Sequence, residues 1–118
     1  MISRASKVLF DSGKATLRPE SFPILDELAA LITDKAKKYP TLRVRLEGHT
    51  DTDGASEANL ELSRNRARSV KEYLTNKGID VMMISTAGYG EERLVKSPER
   101  TPSDKQDNRR VEIAITNQ

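Results

Sequence analysis

The chain has 118 residues, with 20 lysines and arginines against 18 aspartates and glutamates, one histidine and no cysteine. That length suffices for one compact domain with its own core, here spanning 1–118, and 32% charged residues with a mean hydropathy of −0.64 give a wet surface. Near-balanced charge argues against nucleic acid, the lack of cysteine excludes disulfides and thiolate metal sites, and no apolar run approaches the roughly 20 residues of a membrane span.

No signal peptide is visible, and residues 1–5 are expected to form a loose terminus. Lys7-Val8-Leu9-Phe10, closed by Asp11-Ser12-Gly13, predicts a first strand. Ile24, Leu25, Leu28, Leu31 and Ile32 recur at helical spacing and predict a first helix. It starts either at Pro19 or just after Ser21, and Tyr39-Pro40 ends it. Lys35-Ala36-Lys37-Lys38 sits in its last turn, where cations complement the helix dipole. Residues 42–47 alternate apolar and charged, which predicts a half-buried strand with Arg43, Arg45 and Glu47 facing solvent. A second helix is expected from about 57 to 77, with Ala67, Val70, Tyr73 and Leu74 inward, a break admitted at Ser63, and a stop at Gly78. A third strand lies near 84–87. Residues 90–107, with two prolines and nine charges, read as a long surface loop. A last strand, Arg110–Thr116, turns Val111, Ile113 and Ile115 inward and Arg110 out. The order β-α-β-α-β-β predicts an α/β (α+β) sandwich, two main helices on one face of a four-stranded mixed sheet.

The stretch with chemical character is Gly48-His49-Thr50-Asp51-Thr52-Asp53-Gly54 and the helix after it. Asn59, Ser63, Arg66 and Val70 share one helix face, and only Val70 is an ordinary core residue. An acid in the turn and an arginine on the helix therefore meet at one edge of the core, where a zwitterion could be held. Spacing alone leaves a plain Asp51–Arg66 salt bridge equally open.

Gly48-His49-Thr50-Asp51, Gly54, Asn59, Leu62-Ser63, Arg66-Ala67 and Val70 resemble the signature of OmpA-like peptidoglycan-binding domains. Phe10-Asp11-Ser12-Gly13 with Leu17 and Pro19, Gly88-Tyr89-Gly90-Glu91, and Asn108-Arg109-Arg110-Val111-Glu112-Ile113 resemble three further blocks of that family, in the same order. The resemblance implies the sheet order, and a partner: the peptidoglycan stem peptide with meso-diaminopimelate, whose side-chain end carries an ammonium and a carboxylate. By the same resemblance Asp51 takes the amine and Arg66 grips the carboxylate with parallel donors. Asp11, Ser12, Thr50, Asn59, Leu62 and Arg109 are implied secondary contacts, although Asn59 could simply cap the helix and Leu62 could be core. At about 1.5–3 kcal/mol per charge-assisted bond, affinity falls between micromolar and millimolar, and a polymeric wall adds avidity.

The family implies a periplasmic place in the Gram-negative cell envelope, in a parent protein anchored to a membrane. Ala58 departs from the aromatic residue many relatives carry there, which opens the pocket rim. His49 is expected to be structural, bonding nearby backbone, and Asp53 to form the turn. Neither an EF-hand loop nor a zinc centre on His49 and Asp51 finds enough ligands by spacing, so no metal, cofactor or catalytic residue is expected. The competing expectation is an assembly module, of stator or secretion-system type, that forms a homodimer and binds the wall weakly or not at all.

Overall fold

Alternating apolar and charged residues make strands here because one sheet face meets helices and the other meets water. The structure, a computed structural model, describes residues 4–117. Its order is β1 (Arg4–Leu9), α1 (Ser21–Lys38), β2 (Leu42–Gly48), α2 (Ser56–Asn76), a 3-10 turn (Val81–Met83), β3 (Ile84–Gly88), α3 (Pro102–Asn108) and β4 (Arg110–Asn117). The sheet runs β1-β4-β2-β3. β4 is antiparallel to both β1 and β2, and β2 is parallel to β3. The last strand in sequence is therefore inserted between the first two.

Leu42, Val44 and Leu46 of β2 and Val111, Ile113 and Ile115 of β4 point to one face and are buried. Leu25, Leu28 and Ile32 of α1 and Ala67, Val70 and Leu74 of α2 close over them in one core. The predicted α1 stripe is shifted: Ala29 is in the core, while Ile24 is 46% exposed. Pro23 falls within the first turn, where its missing N–H has no helical partner to lose.

Four expectations change. β1 begins at Arg4, inside the span expected to be loose; residues 1–3 lie outside the described residues. The expected surface loop 90–107 contains a short helix, α3, capped by a reciprocal Thr101–Asp104 box, in addition to the two expected main helices. α2 is continuous through Ser63, whose Oγ donates to Leu60 O and accepts from the Gly90 N–H at 2.9 Å instead of capping a new turn. Arg110 sits on the outer sheet face yet is only 2% exposed, because it donates to Arg93 O, Asn108 O and Glu112 Oε2 beneath the chain leading into α3.

One contact sets where α2 lies. Gly48 and Gly88 are paired across β2 and β3, and Ser63 rests on them. A Cβ on Gly48 would lie 1.9 Å from Ser63 O, and one on Gly88 would lie 2.6 Å from Ser63 Oγ. Only glycine permits this approach, which sets the polar first half of α2 against the ends of β2 and β3.

Candidate binding site

β2 ends at Gly48, and the next three residues are buried although polar: His49, Thr50 and Asp51 are 2%, 1% and 5% exposed. Their backbone is tied to neighbours on both sides, His49 N–H to Arg110 O and Thr50 N–H to Gly90 O, each at 2.8 Å. Thr50 Oγ1 donates to Asp51 O, so the implied contact Thr50 is occupied within the turn. Asp51 Oδ1 accepts from the Asp53 N–H at 3.1 Å, which makes the turn, and Asp53 itself pairs with Lys105 at 2.9 Å.

Asn59 does not cap α2; the cap position is Ala55. Its amide instead donates to Asp53 O at 3.0 Å and to Glu91 Oε1 at 3.1 Å. It thus fixes the acidic turn to the Gly88-Tyr89-Gly90-Glu91 segment.

Arg66 is fully buried. Its Nε donates to Lys14 O at 2.8 Å, Nη1 to His49 O at 2.9 Å and Nη2 to Asp11 O at 3.0 Å. Three of its five N–H groups therefore hold the β1–α1 loop and the end of β2 together, and two remain. Burial lowers its pKa to about 10, Asp51 opposes that shift and Arg109 adds to it, so it stays cationic at neutral pH. Asp51 does not pair with Arg66. It pairs with Arg109, whose Nη1 lies 2.8 Å from Asp51 Oδ2 and whose Nε donates to Phe10 O. Asp11 and Ser12 are exposed on the loop that Arg66 holds, and Leu62 is half-buried on α2.

Several residues that spacing could not single out complete the surroundings. Asn108 is fully buried, accepts from the Val95 and Lys96 N–H groups, and donates to Glu99 Oε2 at 2.6 Å. Glu99 Oε1 in turn accepts from Thr52 N–H and Oγ1. Burial pushes the Glu99 carboxyl up, but these bonds outweigh it and hold it below the usual range. A cavity of about 310 Å³ opens beside them, lined by Glu99, Thr101, Lys105 and Arg109 among others.

His49 carries no side-chain hydrogen bond, so its expected backbone contact is not made. It stacks on Tyr89 at 5.5 Å and faces Glu47 and Glu112, the one group of possible metal ligands among the described residues.

The model of the OmpA family matches residues 9–109. The chain belongs to the OmpA family. Outer membrane protein A of Bordetella avium is 40% identical over 106 residues, covering 90% of this chain and 52% of that protein. Peptidoglycan-binding protein ArfA of Mycobacterium tuberculosis is 36% identical over 108 residues, covering 92% of this chain and 32% of that protein. The chain thus spans about half the length of these curated relatives, or less. The crystal structure of the peptidoglycan-associated lipoprotein from Burkholderia pseudomallei matches with a TM-score of 0.85, covering 93% of this chain and 89% of that one. At 24% identity that likeness shows the fold. In this OmpA-family chain the four sequence blocks converge on one place: the loop after β1, the turn after β2 with the middle of α2, the turn after β3 and the start of β4.

Proposed function

We propose that the chain is a non-catalytic module that binds bacterial peptidoglycan, taking the diaminopimelate end of the stem peptide at Asp51, Arg66 and Arg109. The observation that carries this reading is a single buried carboxylate, Asp51, set among two guanidiniums. Asp51 matches the ligand's ammonium, and two cations then remain for its carboxylate. Binding proceeds by exchange: the ammonium replaces Arg109 at Asp51, and the released guanidinium meets the carboxylate together with the two unused N–H groups of Arg66. Asn59 and Thr50 keep the turn in shape, and Asp11 and Ser12 form the rim. The printed name of the relative ArfA supports wall binding. In a longer protein the module would tie an envelope component to the wall from the periplasmic side.

An NMR titration with two stem peptides tests this, one carrying meso-diaminopimelate and the other lysine, which lacks the side-chain carboxylate. Shifts at residues 49–53 and 105–110 should be strong for the first and weak for the second. Asp51→Asn and Arg109→Gln should each abolish them. Arg66→Ala is a poor probe alone, because it also removes a donor from three backbone carbonyls. Silence with both peptides at millimolar concentration would sink the reading and leave the assembly module in its place.

A further inference from the structure

On the outer face of the sheet, Glu47 and Glu112 are directly opposed on β2 and β4. Like charges in that position repel unless something lies between them. His49, two residues on from Glu47 and so on the same face, completes the group. One ligand atom from each of the three lies within 4.8 Å of the others. His49 is 2% exposed, yet neither ring nitrogen has a hydrogen-bond partner among the described residues. A buried, unsatisfied imidazole is costly, and in native proteins it calls for a water or an ion. Glu47 and Glu112 are 23% and 42% exposed, which leaves a path from solvent.

We propose that Glu47, His49 and Glu112 form a binding site for a divalent transition metal, Zn²⁺ being the best fit, which clips β2 to β4 across the outer face. One imidazole and two carboxylates are a borderline donor set that suits zinc and excludes a preference for Mg²⁺ or Ca²⁺. Ligands about 2.0–2.2 Å from a tetrahedral ion lie about 3.3 Å apart. The two glutamate side chains can close that difference by rotamer change, without moving the strands. Arg45 Nε and Arg110 Nε each hold one oxygen, Oε2, of Glu47 and of Glu112, at 2.8 and 2.6 Å. Each carboxylate keeps a second oxygen for the ion, oriented as outer partners orient metal ligands. The same guanidiniums, with Arg93 over Tyr89, oppose a cation and keep the affinity well below that of a structural zinc centre. Water takes the fourth position.

The sequence makes the test clean, because the chain has one histidine and no cysteine. Untagged, metal-stripped protein is titrated with ZnCl₂ by calorimetry, and the His49 ring protons are followed by NMR. The expected result is a saturable one-site isotherm with His49 ring shifts. Glu47→Gln and Glu112→Gln should each weaken it by about tenfold or more. Both variants are isosteric and lie on the solvated face, so the fold survives. The stem-peptide titration should be unchanged in both, which separates this site from the wall site. No isotherm at millimolar Zn²⁺, or one equally strong in the two glutamine variants, would overturn the proposal.

Discussion

Arg66 shows what a buried charge does in this fold. Its guanidinium donates to three carbonyls, of which only Asp11 O also accepts from a backbone N–H, that of Lys14, so removing it leaves unpaired acceptors and a cavity. Arg66→Met should lower stability by about 3 kcal/mol or more in urea unfolding. Had it served only as a ligand clamp, the loss would be slight. His49 gives the chain a pH dependence of its own. Burial, helped by Arg110 and opposed by Glu112 and Glu47, lowers its pKa from 6.5 to about 4. Below pH 6.5 the unfolded chain therefore takes up a proton that the folded one refuses. Stability should be full above about pH 6.5 and fall as pH drops to about 4, by up to about 3 kcal/mol. Denaturant melts in the presence of a chelator read this slope, and His49→Gln should flatten that window relative to the parent.

At the scale of elements, the contact of α2 with the glycine pair governs the site, since it brings Asn59 and Arg66 over the end of β2. Gly48→Ala should cost about 3 kcal/mol in stability, because its Cβ meets a backbone carbonyl that can yield only by moving the helix. A thermal melt within a degree or two of the parent would contradict that packing. The segment from Arg93 to α3 is held differently, by side chains, and Asn108 makes most of those bonds. Asn108→Ala would orphan the Val95 and Lys96 amides and free Glu99 from one of its partners. It should cost about 2 kcal/mol, and amide exchange should accelerate at residues 94–100 before it does so in the sheet.

For the whole molecule, insertion of β4 between β1 and β2 makes the C-terminal residues central to the sheet. Truncation after Arg109 would leave the facing edges of β1 and β2 unpaired and remove Val111, Ile113 and Ile115 from the core. The shortened chain should show no cooperative unfolding transition by circular dichroism. Deleting Arg4–Ser6 from the edge strand β1, by contrast, should leave a folded domain with a lower melting temperature.

Period and composition were enough for the strands and helices, because apolar spacing reports which face is covered whatever covers it. The alternation in 42–47 and 110–116, the stripe of α1 and the stop at Gly78 all lay in short stretches of chain. So did Asp51 and Arg66 as polar residues at the core's edge, though not as each other's partners. Local pattern did not reach α3, whose seven residues carry a capping box but no apolar stripe. Nor did it reach Arg110, whose burial comes from a segment that begins 17 residues earlier. The partner of Asp51 was likewise out of reach: Arg109 lies 58 positions away, and only the insertion of β4 beside β2 brings the two together. The grouping of Glu112 with Glu47 and His49 has the same origin, since strand register, not spacing along the chain, sets side chains opposite one another.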